Sequence, residues 1–274
     1  MSELILLRQK LKGIIQISKM AEAMQVVAVA ELKKIQARQR NAHKFLQQYQ
    51  QLAGQLKLNE MQRPKPDGLT TALFLFVSER GFCAGFNDSL IASAENFLKA
   101  SKQEVKLVIC GRKGGEGLRS DQAKKIGAND FDLLEEEAML NYDLYLKGRV
   151  GSIYFLFNEF KSMMVQTSLM QQVLPFDWRG KEKPVNGGLI VEPDLESVSS
   201  QVGVNFYRAF LYDAYMQTRL GEVAARLLTM RGATESCKEM IKNLQIKINK
   251  ARQAMITVEL SEILSSFKVL AKEG

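Results

Sequence analysis

Few side chains in this chain of 274 residues have the types and spacing that catalysis or metal binding requires. The cysteines are Cys83, Cys110 and Cys237. They lie too far apart for a CxxC zinc or redox pair, and their odd number argues against a disulfide framework. Residues 81–85 (GFCAG) resemble a nucleophile elbow in outline. A Cys–His pair is nevertheless not expected, because the only histidine, His43, lies in a different predicted segment.

A second candidate for chemistry is the glycine-rich run 111–117 (GRKGGEG), which follows a predicted strand. It invites interpretation as a phosphate cradle. It lacks both the GxxxxGK[ST] spacing of a P-loop and the third spaced glycine of a dinucleotide fingerprint. A turn that ends the strand accounts for the glycines better. We therefore predict no catalytic, cofactor-binding or metal site, and no enzymatic activity of this chain alone.

The overall composition is that of a soluble, basic globular protein. Hydrophobic residues make up 46% of the chain and charged residues 25%, and the net charge of +8 favours an acidic partner. No stretch approaches the roughly 18 apolar residues that a membrane span needs. Charged side chains interrupt the first 20 residues, so we expect neither a secretory signal nor an oxidising compartment.

The N-terminal flank has the pattern of a coiled-coil helix. All five prolines lie between Pro64 and Pro193, which leaves both ends of the chain free for long helices. Counting alternately three and four residues from Leu4 to Leu56 gives sixteen positions, of which thirteen are apolar. The sequence RPKPDG at 63–68 predicts the stop of this helix. We assign residues 1–63 to an N-terminal coiled-coil helix.

The C-terminal flank continues the same pattern, and residues 194–274 are predicted to form a C-terminal coiled-coil helix. One register of apolar residues runs from Cys237 to Val258. Because the two flanks enter and leave one middle domain, they must run antiparallel if they pair. At 1.5 Å per residue they would span about 80 Å and about 110 Å, so the C-terminal helix should project by roughly 30 Å. Two helices bury only part of such a rod, and we expect a partner that encloses it.

The middle segment, residues 64–193, is predicted to be a small Rossmann-like α/β domain with a mainly parallel sheet. Short apolar runs at 69–77, 106–110, 152–157 and 163–174 predict strands, and 88–99 and 131–147 predict helices. The triplet Glu135–Glu137 is interpreted as a solvated helix face. The fold class is therefore α/β, a long antiparallel coiled coil of the terminal helices plus this domain.

The excess positive charge is concentrated on the first flank. Residues 1–63 carry 11 basic and 4 acidic side chains, whereas residues 64–193 have a net charge of −1 and residues 194–274 of +2. Either a solvated helix face or an acidic protein surface around the rod fits this charge. Nucleic acid is disfavoured, because no aromatic residues are interleaved with the basic ones and no recognition motif accompanies them.

Several motifs resemble the gamma subunit of F-type ATP synthases. Residues 249–263 read NKARQAMITVELSEI, against the family pattern N-K-A-R-Q-A-x-I-T-x-E-L-x-E-I. Residues 78–87 (SERGFCAGFN) are similar to T/S-D-R-G-L-C-G-G-x-N, with Phe82 and Ala84 as departures. Ala23-Met24 resembles the N-terminal K-A-M element, where Glu22 and Val26 depart from the pattern. Further ordered matches extend the resemblance over essentially the whole chain.

The resemblance implies a central rotor shaft inside a ring of alternating alpha and beta subunits. The α/β domain would sit below the ring with the epsilon subunit, on the membrane-embedded ring of c subunits. Nucleotides would bind on the alpha–beta ring, so no cofactor is expected here. The chain would be peripheral to the membrane, at the cytoplasmic face of the cell (inner) membrane of a bacterium.

The resemblance also implies which residues contact the beta subunits. Arg252, Gln253, Thr257 and Glu259 match residues that touch the beta-subunit catch loops, and Met24 matches the methionine near an acidic lever on beta. Arg252 and Glu259 are seven apart and share a helix face, which suits directional polar contacts. Composition and heptads alone leave open a coiled-coil scaffold or adaptor protein with the α/β domain as a spacer. An ATP-hydrolysing enzyme is disfavoured by the missing phosphate loop.

Overall fold

The structure, a computed structural model, describes residues 2–56, 70–101, 103–115, 118, 123–176 and 191–270. By its contacts the chain divides into two compact units, residues 28–228 and residues 1–27 with 229–274. The first is called the α/β unit and the second the helical unit. The predicted segments 1–63, 64–193 and 194–274 follow the elements along the chain, whereas the contacts give each unit part of both terminal helices.

Two long helices begin and end the described chain. The first, α1 (Ser2–Gln55), has 54 residues and is about 81 Å long. The last, α4 (Leu195–Leu270), has 76 residues and is about 114 Å long. The prediction of long helices in both flanks is confirmed. The predicted helix stop at 63–68 lies outside the described residues.

The α/β unit contains a five-stranded sheet. Its elements are β1 (Thr70–Phe76), α2 (Asp88–Ala100), β2 (Val105–Cys110), β3 (Lys124–Ile126), α3 (Phe131–Leu146), β4 (Val150–Phe160) and β5 (Gln166–Leu174). The strand order is β3-β2-β1-β4-β5. Only β5 is antiparallel to its neighbour, so the predicted mainly parallel sheet is confirmed.

The strand boundaries differ most from the predicted ones at the end of β4 and the start of β5, and elsewhere by one or two residues. β4 extends to Phe160 because Asn158, Glu159 and Phe160 pair with the start of β5. β5 begins at Gln166 and not at 163, because residues 161–165 form the turn between the two strands. β3 was not predicted; it is a strand of three residues with two lysines that pairs only with β2.

The sheet is covered by helices on both faces, which explains why β1 is a continuous apolar run and not an alternating one. Residues 72–76 of β1 are fully buried. On one face, Leu73, Leu75 and Ile109 pack with Leu90 of α2. On the other face, aromatic residues of β1 and β4 pack with α3, α1 and α4.

Within the α/β unit, α1 and α4 run antiparallel. Ala28 and Ile35 of α1 share a cluster with Leu220, Val223 and Leu227 of α4. Further along α1, Ala42 and Leu46 share the central core with α4 residues around Tyr207, and Ala53 and Leu56 pack with Val202. Residues later in α1 therefore contact residues earlier in α4, so the two helices are antiparallel, as predicted.

The helical unit repeats this antiparallel arrangement without a sheet. A groove of about 470 Å³ is lined by four residues from each helix, with Gly13 and Ile17 of α1 alongside Met240 and Leu244 of α4. Of the predicted heptad positions, Ile14 and Leu244 line this groove, and Ala21 and Cys237 are buried.

The interpretation of Glu135–Glu137 as a solvated face is wrong for two of its three residues. The Glu137 carboxylate is 3% exposed and pairs with Lys106 of β2 (2.9 Å) and Lys124 of β3 (2.5 Å). Glu135 pairs with Arg208 of α4 at 3.0 Å, and only Glu136 is exposed without such a pair among the described residues. The partners come from elements distant in the chain: Lys124 lies on β3, which was not predicted, and Arg208 lies on α4.

Candidate partner-binding surface

Four of the five predicted contact residues lie together near the end of α4. Arg252, Gln253, Thr257 and Glu259 are all exposed on one helical segment of eight residues. At 100° per residue, Arg252 and Glu259 differ by about 20° around the helix axis, so the cation and the carboxylate share a face. Neither of them forms an ion pair with another described residue. Both charges are therefore available to a partner.

Hydroxyl groups form a regular series along the same segment. The Oγ atoms of Thr257, Ser261 and Ser265 each donate to the carbonyl oxygen four residues earlier, over 3.0, 2.8 and 2.7 Å. Their protons are thus used within the helix. To a partner these hydroxyls present oxygen lone pairs, while Arg252 supplies the donors.

Large apolar side chains surround these polar groups. Val258, Leu260 and Leu264 are 55%, 55% and 62% exposed. In the helical unit, Lys10 and Gly13 of α1 line the same groove as Lys247 and Asn243 of α4. Because the helices are antiparallel, this register places the first residues of α1 beside residues near 255 of α4. Side chains from 256 to 265 therefore lie past the end of α1, as the predicted projection requires. An exposed apolar surface with polar groups of this kind is typical of an interaction site.

Met24, the fifth predicted contact residue, lies on α1 and is half-buried. On the register of the groove it is level with residues near 233 of α4, so about 30 Å of helix separates it from Arg252. The structure does not bring Met24 to the other four residues. Its neighbour Val26 is 71% exposed. The five residues thus belong to two separate surfaces.

Sequence analysis missed a buried ionic cluster at the carboxyl ends of the strands, in the α/β unit. The carboxylate of Glu222, which is fully buried on α4, accepts a hydrogen bond from the backbone N–H of Arg80 at 3.0 Å. The same carboxylate pairs with Arg226 and, at 3.2 Å, with Arg219. Arg219 also pairs with Glu31 of α1 at 3.3 Å. The spacing of Arg219, Glu222 and Arg226 by three and four residues inside an apolar stretch is the signal that identifies this cluster.

Two further elements contact α4 at the same level. A Cβ atom on Gly221 would lie 3.0 Å from a ring carbon of Phe86 and 3.6 Å from Gln166, so a larger residue would have to displace the Phe86 ring by a few tenths of an ångström. The N–H of Phe160 donates to Gln217 at 3.3 Å. We call these contacts the collar. Its members are Arg80, Phe86, Phe160 and Gln166 on the sheet side, and Gln217, Arg219, Gly221, Glu222 and Arg226 on α4.

The loop that supplies Arg80 to the collar has a strained backbone. Phe82 and Ala84 have φ angles of 63° and 49°, in the left-handed region that L-residues rarely adopt. Arg226 Nε donates to the carbonyl of Gly81 at 3.4 Å, and Asn158 Nδ2 donates to the carbonyl of Phe86 at 2.9 Å. These bonds hold both ends of the strained turn in place.

The two segments that first suggested chemistry have structural roles. The N–H groups of Gly111 and Lys113 donate to the carbonyls of Ile126 and Ser78, so they are used within the protein and not turned toward a phosphate. Gly111 has a φ of 120°, and a Cβ there would meet the Val77 carbonyl at 2.3 Å. Glu116 and Gly117 lie outside the described residues.

Cys83 and His43 have different partners. The Cys83 thiol is 3.7 Å from the carbonyl of Arg80, and burial raises its pKa. His43 lies 3.5 Å from Asp213, whose pKa is raised by burial. A buried thiol with a raised pKa is a poor nucleophile. Within the described ranges no cluster of His, Cys, Asp or Glu is suited to hold a metal ion, and none of the helices described there has the length and apolarity to cross a membrane.

Comparisons with known proteins agree over almost the full length of the chain. The sequence profile of the family described as ATP synthase matches residues 3–270. The ATP synthase gamma chain of Syntrophobacter fumaroxidans is 30% identical, with 97% of this chain and 98% of the relative covered. The gamma chain of Chlorobaculum parvum is 29% identical, with 96% and 97% covered.

Solved structures have the same fold at lower identity. A chain of the Euglena gracilis mitochondrial ATP synthase assembly of OSCP, F1 and c-ring has a TM-score of 0.71 and 16% identity, with 98% of this chain and 95% of that chain covered. A chain of the rotor of the same enzyme has a TM-score of 0.65 and 16% identity, with 93% and 99% covered. The predicted combination of long terminal helices and an α/β domain is therefore confirmed at the level of the fold.

Proposed function

The chain belongs to the ATP synthase gamma-chain family, and from this premise we propose how its structure serves as the central rotor stalk of an F-type ATP synthase. The end of α4, with the start of α1, turns inside a ring of alpha and beta subunits. The α/β unit rests with the epsilon subunit on the ring of c subunits. The observation that carries this proposal is the end of α4, where polar and apolar side chains are exposed together on one helix.

The contacts proposed for the beta subunits are made by the residues that the family motif indicates. Arg252 offers a planar guanidinium for bidentate hydrogen bonds, and Glu259 offers a carboxylate on the same face. Gln253 and Thr257 lie beside them, linked by the Thr257 hydroxyl bond. Met24 contacts a second, acidic region of beta, which the +7 charge of residues 1–63 favours.

Asymmetry of the shaft is the physical basis of the coupling. A single rod in a ring with three catalytic sites presents a different surface to each of them. A difference in contact free energy of about 1.4 kcal/mol between two sites changes their relative nucleotide affinity tenfold. Rotation of the rod exchanges these affinities among the sites, which couples ion flow to the synthesis or hydrolysis of ATP.

In this proposal the chain itself is not catalytic and holds no cofactor, and the chemistry takes place on beta. The chain is peripheral to the membrane, at its cytoplasmic face, through the complex. The alternative of a coiled-coil scaffold with a spacer domain is not favoured, because the match to gamma chains covers the spacer as well as both helices.

Reconstitution tests the proposal directly. Alpha and beta chains are co-expressed with and without this chain, and the azide-sensitive ATPase activity of the purified assemblies is measured. We expect activity from the assembly with one copy of this chain per three alpha and three beta, and none from the chain alone. ATPase activity of the isolated chain, or a different stoichiometry, would contradict the proposal.

A further inference from the structure

The collar is the last place at which the sheet holds α4 within the α/β unit. Its α4 members lie at 217–226, and the unit ends at residue 228. Toward the other end of the unit, α4 packs in the apolar cluster around Tyr207 and Phe210, with a hydrogen bond from the Tyr215 hydroxyl to the Ala128 carbonyl (2.6 Å) and the partly exposed pair of Arg208 with Glu135. Glu222 differs from these contacts because its carboxylate is both charge-paired and fully buried.

The two kinds of contact resist different movements. Apolar burial is non-directional, so it holds a helix against the sheet without fixing its angle about its own axis. Charge-assisted hydrogen bonds depend on direction, and buried ones are not weakened by water. The bond from the Arg80 N–H to the Glu222 carboxylate, with that from Arg226 Nε to the Gly81 carbonyl, fixes the rotational position of α4 relative to the strand end. Arg219 and Arg226, on the same helix as Glu222, hold its carboxylate in place for this contact.

Two more contacts hold α4 at the level of Glu222. Arg219 bonds to both Glu222 and Glu31, so α1 and α4 are tied to each other at the same level. Phe86 and Gln166 pack against α4 at Gly221, where an added Cβ atom would lie 3.0 Å from the Phe86 ring. The strained loop that carries Arg80 is held at Gly81 and Phe86, and is thus fixed relative to β4 and α4.

We propose that the collar is the joint that transmits torque from the α/β unit to the two long helices, with Glu222 and Gly221 as its positioning residues. The inference rests on the proposed function as a rotor stalk. When the α/β unit is turned, the collar makes both helices turn with it instead of slipping against the sheet. The joint is needed only when the rotor works against a load.

This difference between loaded and unloaded rotation supplies the test. The variants Glu222→Gln and Gly221→Ala are built into the complete synthase. The matched control is Arg208→Gln, which removes a partly exposed ion pair between α4 and α3. Two rates are measured for each: ATP hydrolysis by the detached assembly with alpha and beta, and ATP synthesis in proteoliposomes driven by a potassium–valinomycin diffusion potential. Urea unfolding of each chain verifies that it is folded under assay conditions.

We expect both collar variants to hydrolyse ATP within about twofold of the wild type, while loaded ATP synthesis falls by about fivefold or more, the factor that a perturbation of about 1 kcal/mol represents. Arg208→Gln should retain both rates. If Glu222→Gln does not fold, Gly221→Ala decides the question by the same criterion.

The inference would be overturned by a ratio of synthesis to hydrolysis that stays at the wild-type value in the collar variants, whether both rates are retained or both fall equally. Failure of the proposed function itself is a separate result. In that case the wild-type chain would not confer hydrolysis on alpha and beta at all.

Discussion

Asn87 and Ser78 are joined by two hydrogen bonds that fasten the start of α2 to the end of β1. Asn87 Oδ1 accepts from the N–H of Ser78 at 3.0 Å, and Asn87 Nδ2 donates to the Ser78 hydroxyl at 2.8 Å. A third bond from Nδ2 reaches the carbonyl of Lys113. One amide side chain thus connects three segments at the carboxyl edge of the sheet.

Replacement of Asn87 by alanine should lower the free energy of unfolding by about 1–3 kcal/mol, because it leaves the N–H and hydroxyl of the buried Ser78 without their partner. Urea titration followed by circular dichroism measures the change. Asn96→Ala, at an exposed position of α2, is the control and should change stability by less than about 0.5 kcal/mol. Equal effects of the two substitutions would refute the importance of the Asn87 contacts.

Replacement of Ala84 by glycine should stabilise the folded protein, whereas an alanine-to-glycine substitution usually destabilises it. Its φ of 49° costs an L-residue about 1 kcal/mol, and glycine adopts this conformation without strain. We expect Ala84→Gly to raise the free energy of unfolding by about 0.5–1 kcal/mol. Ala92→Gly, on an exposed face of α2, should lower it by about the same amount. The prediction fails if both substitutions destabilise the chain.

The ion pairs of Glu137 should make stability depend on pH in the acid range. Burial by itself would raise the pKa of Glu137, but the hydrogen bonds from Lys106 and Lys124 outweigh it and hold the pKa below its usual value of 4.5. Because the folded-state pKa is depressed, the contribution of Glu137 is fully present above 4.5. It is lost as the pH falls through the folded-state pKa.

Comparison of Glu137→Gln with the wild type measures this contribution. At pH 7 the variant should unfold about 1–3 kcal/mol more easily, and the difference should shrink as the pH falls below 4.5. Glu136→Gln, at an exposed position of the same helix, is the control. A difference between wild type and Glu137→Gln that is independent of pH would rule out the charged pair as its cause.

Arg252→Ala should lower the activity of the assembly with alpha and beta without destabilising the fold of this chain. The side chain is exposed, so urea unfolding of the isolated chain should shift by less than about 0.5 kcal/mol. The ATPase activity of the assembly with alpha and beta should fall severalfold, because a charged contact with beta is removed. Lys242→Ala, on an exposed part of the same helix, should retain activity. Equal activities of the two variants would argue against a contact at Arg252.

The sequence predicts those parts of the fold that depend on local patterns. The absence of proline before Pro64 and after Pro193 predicts the two long helices, and the apolar run of β1 predicts a buried central strand. β3 was missed because three residues with two lysines carry no apolar signal. The role of Glu137 was missed with it, because its partners come from two strands that only the folded sheet brings together.

The partner-binding residues and the collar likewise differ in how far they can be predicted from the sequence. Arg252, Gln253, Thr257 and Glu259 are close in sequence, so their common position on one helix was predictable. Glu222 meets the backbone N–H of Arg80, 142 residues earlier in the chain, and no periodicity reports a contact of that kind. A charged triplet at spacings of three and four inside an apolar helix is nevertheless a visible sign that such a contact exists.

The burial of the cysteines has a practical consequence for single-molecule experiments. All three thiols are shielded, and burial raises the pKa of Cys110 to about 12 and that of Cys83 above its ordinary value. Since maleimide reagents react with exposed thiolates, the unmodified protein serves as a nearly silent background for labelling. A cysteine introduced at an exposed position such as Lys99 would carry a fluorophore or bead attached at that one point.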